Sequence, residues 1–160
     1  MEEYKRLVSQ LFDRESNQLI ANSSAGHAAI LLGMLFKHAQ EEVRIFSQKL
    51  SADVFNDSFL NECAESFLKA RGKKLRIAIT DDNLDESRFR NLISTIPDAD
   101  VAVYRFKEIF SNGKSVNFAV MDKTAYRYEP DRTVCRAIAS ANDKEFAGKL
   151  AAVFDQCLPV

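Results

Sequence analysis

The 160-residue sequence holds few of the residues from which common catalytic and cofactor sites are built. Its five glycines are scattered, so neither GxGxxG nor GxxxxGK[ST] is present to wrap backbone N–H groups around a phosphate. HExxH and GxSxG are missing as well. The three cysteines, Cys63, Cys135 and Cys157, stand far apart with no CxxC pair and no His at ligand spacing. That pattern fits reduced thiols better than a disulfide or a metal site. The two histidines, His27 and His38, lie eleven residues apart in one apolar segment. Three helical turns put them about 16 Å from each other, too far to ligate one metal within one subunit. Structural histidines are the simpler reading, and no cofactor or metal is implied.

Charge surplus is absent too. With 22 basic and 23 acidic side chains the net charge is -1, which gives no global pull toward nucleic acid or an anionic membrane. The longest apolar run, AAILLGMLF, is nine residues, too short to span a bilayer. The first residues, MEEYKRLVSQLF, lack an apolar signal core. A cytoplasmic protein is the expectation.

What is present points to a folded domain. Hydrophobic residues make up 46% of the chain, 12 of them Phe, and 160 residues suffice for one domain with a sizeable core. Tyr4, Leu7, Leu11 and Phe12 fall at helical spacing, so residues 1–24 read as a helix or arm leading into an extended segment. Residues 25–160 read as a single domain. Asn22, Ser23 and Ser24 offer N-caps for a helix over 25–39 that is apolar on nearly all sides and therefore buried, in its own domain or against another subunit.

Beyond it the pattern alternates. EVRIFS is a strand, with Val43 and Ile45 inward. An amphipathic helix follows, its stripe formed by Phe59, Leu60, Cys63, Phe67 and Leu68, closed by Gly72. KLRIAIT is a second strand, Glu86–Ile96 a third helix ended by Pro97, and DADVAVYRF a third strand. Strand, helix, strand, helix, strand implies parallel pairing with right-handed crossovers. After the Asn112-Gly113 turn signal, SVNFAVMD, TAYRYEP and TVCRAIAS are joined by short connections, as in an antiparallel meander with a tight hairpin at Asp122-Lys123. A last helix, capped near Asn142 or Asp143, turns Phe146, Leu150, Val153, Phe154 and Leu158 inward. The expected fold is α/β: a mixed sheet with parallel βαβ units in the first two-thirds, a C-terminal antiparallel meander and helices on both faces.

Two clusters have polar chemistry. Asp81, Asp82, Asp85 and Glu86 follow a strand end and fit either a cation site or, more simply, acids that favour a helix N-terminus. Arg127 and Glu129 alternate on one face of TAYRYEP, with Arg132 and Arg136 nearby. They fit an anion-binding surface or a polar sheet face with cross-strand ion pairs.

The order SVNFAVMD, KTAYRYEP, ASANDKEFAGKLAAVFDQCL, preceded by the strand–helix–strand of residues 42–80, resembles the phospholipase D-like fold. In that family a strand bears His-x-Lys-x-x-x-x-Asp. The resemblance sets the motif's His on Ser115, its Lys on Asn117 and its Asp on Asp122, so only the carboxylate keeps its type. Small residues of the family's pattern are replaced near Glu129 and Pro130. Active relatives use the imidazole as nucleophile and the Lys to stabilise charge on the phosphoryl group. Ser115 and Asn117 supply neither.

The resemblance therefore implies a catalytically inactive module. It also implies a homodimer, because active members join two motif copies across a two-fold axis, and the apolar helix is a candidate for part of that interface. A cleft of Asn117, Arg127, Glu129 and Arg136 would take a phosphate-containing ligand or nucleic acid. The alternatives are a divergent phosphodiesterase or nuclease, using Ser115, His27 or His38, and an accessory subunit of a larger nuclease or helicase assembly.

Overall fold

The computed structural model describes residues 1–81, 83–107, 109–111, 113–134 and 136–157, with Phe110 and Ser111 described by backbone alone. Of the positions singled out above, Asp82, Asn112, Cys135 and Leu158 lie outside the described residues.

The chain runs α1 (Glu2–Asp13), β1 (Ile20–Asn22), α2 (Ala25–His38), β2 (Glu42–Ser47), α3 (Ala52–Phe55), α4 (Ser58–Lys69), β3 (Lys74–Ile79), α5 (Arg88–Thr95) and β4 (Asp100–Arg105). A small hairpin, β5 (Phe110–Ser111) and β6 (Lys114–Ser115), leads to β7 (Asn117–Met121), β8 (Ala125–Asp131), β9 (Arg136–Ser140) and α6 (Lys144–Gln156). Seven strands form one mixed sheet in the order β1-β9-β8-β7-β2-β3-β4. β2, β3 and β4 are parallel. β7 lies antiparallel to β2, and β7, β8, β9 and β1 continue antiparallel from it. The chain thus winds outward from β2 to β4 and returns to β2's other side.

Helix ends follow the capping chemistry. Ser24, Asp57, Ser87 and Asp143 each accept a backbone N–H from three residues on, starting α2, α4, α5 and α6. The helix expected over Glu86–Ile96 is α5 and runs only Arg88–Thr95, since Ser87 caps its start and Pro97 keeps Ile96 out of the helical region. Residues 1–24 supply a helix and an edge strand: α1 buries Val8, Leu11 and Phe12, and β1 pairs with β9. No helix among the described residues is long and apolar enough to cross a membrane.

One face of the sheet packs Val43, Ile45, Leu75, Ile77 and Ala119 against α2 and α4. α2 is buried continuously from Ala28 to Phe36 by its own chain, which removes it as a surface for a second subunit. The reason is close packing: a Cβ on Gly33 would sit 2.5 Å from the Phe59 ring of α4. The other face packs Phe46, Phe118, Val120 and Tyr126 against Ala147, Leu150, Ala151 and Phe154 of α6. Val153, read as inward from its spacing, lies on the solvent side at 36% exposure because α6 contributes only the stripe 147, 150, 151, 154 to this layer.

β2 is central, so both its faces are covered and even Arg44 is buried. Its guanidinium holds both carboxylate oxygens of Asp155 at 3.0 Å, tying the end of α6 to the sheet. Glu42 lies within 3.4 Å of Arg44 and 3.0 Å of Arg76, completing a four-residue ionic cluster.

Candidate binding cavity

In an open α/β sheet, ligands settle where the strand order reverses, beyond the carboxyl ends of the parallel strands. Here that point lies between β2 and β7. A cavity of about 220 Å³ opens there, lined by Ser47 and Gln48 after β2, Asn117 at the start of β7, and Arg127 and Glu129 from β8. Because β7 runs antiparallel to β2, the start of one meets the end of the other. Leu32, Ile45, Val54 and Phe55 form the apolar part of the wall.

The polar floor is a continuous hydrogen-bonded chain. Asn117 stands opposite Glu129 in the ladder, and Ala119 stands opposite Arg127. With a two-residue period, Asn117, Arg127 and Glu129 therefore share one face. The Asn117 amide donates to Glu129 Oε1 at 3.0 Å, and its Oδ1 accepts the Gln48 backbone N–H at 3.2 Å. Arg127 donates to Glu129 Oε2 at 2.9 Å and, through Nε, to Asn22 Oδ1 at 2.9 Å. Asn22 then donates to the Ser24 carbonyl at the start of α2. Asn22, Arg127 and Glu129 are all more than nine-tenths buried. The small residue Ala119 between them leaves the room these side chains occupy.

Asn22 is the member that pattern reading missed, because it sits in NSS and reads there as a helix cap. The residue that caps α2 is Ser24, which frees Asn22, the last residue of β1, for the floor. Tyr4 approaches the same region from α1. Its hydroxyl donates to the Ala21 carbonyl at 2.8 Å, and its ring stacks on His27 at 3.7 Å. Burial pushes the Tyr4 phenol up to about 12, with the Arg127 charge acting in the opposite sense.

The other motif positions stand elsewhere. Ser115 is on β6 in the small hairpin and is not in the cavity wall; its carbonyl accepts the Arg132 N–H at 3.1 Å. Asp122 follows the far end of β7, five residues and roughly 17 Å along the strand from Asn117. Arg136 is exposed on β9, paired in register with Asp131. Neither histidine lines the cavity: His27 sits by Ser23 and Tyr4, and His38 closes the opposite end of α2 beside Asp13.

Asp81 and Asp85 serve local structure. Asp81 accepts the Asn83 N–H, and Asp85 accepts the Ala52 N–H at 2.9 Å, the main cause that holds its carboxyl below the usual range. Among the described residues no group of three or more His, Cys, Asp or Glu is arranged to hold a metal ion. Burial pushes the Cys63 thiol up to about 11, which leaves it unreactive at neutral pH.

No protein-family model matches the sequence, and no curated protein matches it. The fold is similar to that of TrmBL2, an archaeal chromatin protein whose structure shows a novel mode of DNA binding. The TM-score is 0.64 at 12% identity, over 97% of this chain and 57% of TrmBL2, so the chain spans little more than half of that protein's length. It is also similar to NucT from Helicobacter pylori, with a TM-score of 0.60 at 12% identity, over 88% of this chain and 94% of that one. At such identity the likeness defines a fold: an α/β domain with a seven-stranded mixed sheet, consistent with the phospholipase D-like architecture.

Proposed function

We propose that the protein is a non-catalytic phospholipase D-like module that binds a ligand in the cavity between β2 and β7 and works as a homodimer. The observation that carries this reading is the composition of the cavity wall, which contains no imidazole and no thiol among the described residues. Nucleophilic displacement at phosphorus needs an activated nucleophile and unpaired positive charge beside it. The guanidinium buried in the floor is already paired with Glu129. Ser47 and Ser51 are the wall's hydroxyls, and the Ser47 hydroxyl is held by the Leu50 N–H.

The homodimer follows from the family resemblance, in which two copies meet near the motif strands. Nucleic acid enters as a partner through the DNA binding described for TrmBL2. The net charge of -1 gives it little electrostatic drive, so contact with nucleic acid fits best inside a larger cytoplasmic assembly.

The direct test is turnover of a panel of phosphodiesters, single-stranded and duplex DNA by the purified protein, run beside sedimentation velocity at micromolar concentration. No turnover together with a dimer boundary is expected. Turnover that disappears in Ser115→Ala, His27→Ala or His38→Ala restores the divergent-phosphodiesterase reading, and a monomer boundary removes the dimer.

A further inference from the structure

We infer that the ligand of this cavity is a small uncharged polyhydroxyl molecule rather than a phosphate, an inference that rests on the binding-module reading above. Three features of the wall carry it. The first is charge balance. Arg127 is cancelled by Glu129 at 2.9 Å, Lys49 lies 3.5 Å from Asp85, and Arg132 shares the wall with the carboxylate of Asp53. A phosphate entering this floor meets the Glu129 carboxylate and must either face it or separate it from Arg127, leaving a buried charge unpaired.

The second is the kind of hydrogen bonding left over. A carboxylate offers about four lone-pair sites and a guanidinium five N–H donors. Among the described residues, two lone-pair sites of Glu129 are engaged, by Asn117 and Arg127. Two donors of Arg127 are engaged, by Asn22 and Glu129. Unspent acceptors and unspent donors therefore stand side by side. A hydroxyl both donates and accepts, so neighbouring hydroxyls satisfy both at once, whereas the phosphoryl oxygens of a phosphomonoester dianion only accept.

The third is size and shape. A volume of about 220 Å³ lies below the roughly 300–1,000 Å³ of drug-sized sites and suits a single small ring. Leu32 of α2 and Val54 and Phe55 of α3 line the same cavity as the polar floor, so a ring with polar edges and C–H faces meets both kinds of group.

Thermal shift and calorimetric titration of the wild-type protein test this with matched probes: D-glucose and myo-inositol against D-glucose 6-phosphate and myo-inositol 1-phosphate, with inorganic phosphate alongside. A neutral probe is expected to bind, at least about tenfold more tightly than its phosphorylated partner, with little dependence on ionic strength. Glu129→Gln leaves Arg127 without its anion and is expected to reverse the preference, gaining phosphate binding. If that variant does not fold, the wild-type comparison and its salt dependence still decide. Binding of phosphate in preference to the neutral probes overturns the inference while leaving the binding module intact. Absence of binding by every neutral probe overturns it as well. Hydrolysis of a phosphodiester overturns the binding-module reading itself.

Discussion

Asp122 and Glu42 are bonded twice, in opposite senses: the Asp122 N–H donates to the Glu42 carbonyl at 2.8 Å, and the Glu42 N–H donates to Asp122 Oδ1 at 2.9 Å. The same carboxylate accepts the N–H groups of Gln40 and Glu41, each at 2.8 Å. Asp122 thus fastens the β7–β8 turn to the segment entering β2. The motif residue that keeps its type is a brace at the far end of the strand from the cavity.

Replacing Asp122 with Ala removes three charge-assisted acceptor contacts and leaves amides at the start of β2 to find water. A loss of about 2–4 kcal/mol is expected, because bonds to a charged group contribute about 1.5–3 kcal/mol each and water recovers part of it. Asp122→Asn should lose less, since one oxygen remains and Asn tolerates the positive φ of 59°. Urea denaturation of both variants checks this. An Ala variant with an unchanged midpoint would show that the brace does not stabilise the fold.

Lys123, next in the turn, has φ 132°, a conformation in which a Cβ is strained and glycine is not. Lys123→Gly is therefore expected to stabilise the protein by about 1 kcal/mol, despite the greater freedom glycine has in the unfolded chain. A raised melting temperature with an unaltered circular dichroism spectrum is the expected result. A lowered one would mean that the side chain contributes more than the strain costs.

This turn also marks where the sequence was legible. Asp122-Lys123 between two apolar strands reads as a hairpin from spacing alone, and the parallel β2–β3–β4 unit reads from its alternation with helices. The floor of the cavity did not read so easily. Arg127 and Glu129 show up as alternating polar residues, but their burial depends on β1 and α2 closing over them, contacts 105 residues apart in the chain. Arg44 is the same case: a charge on a strand looks solvated until α6 brings Asp155 from 111 residues away. The apolar face of α2 gives its burial but not which neighbour buries it, and α4 fills that role through Gly33 and Phe59.

The pair Arg127–Glu129 lends itself to a double-mutant cycle. Both side chains are more than nine-tenths buried, so Glu129→Leu strands a guanidinium in the floor and should cost about 3–5 kcal/mol. Arg127→Met should cost less than that, because Glu129 keeps the Asn117 amide as a donor. The combined variant, Arg127→Met with Glu129→Leu, removes both charges and is expected to recover much of the loss. Additive losses would show that the two side chains are not energetically coupled.

His38 gives the fold a pH dependence whose sign follows from its surroundings. Its ring packs against Phe12 and Nε2 lies 3.6 Å from Asp13 Oδ1. Burial lowers its pKa from 6.5, with Lys37 acting in the same sense and Asp13 against both. A folded-state pKa below the unfolded one means that the unfolded chain binds more protons once the pH falls beneath about 6.5. The contribution of His38 is therefore fully present above that pH and is lost as the pH falls through the window down to the folded value. The wild-type denaturation midpoint should drop between about pH 7.5 and pH 5.5, and His38→Gln should drop less over the same interval. The difference isolates the imidazole from the carboxylates, which both proteins share. Parallel pH profiles for the two proteins would show that Asp13 compensates the burial in full.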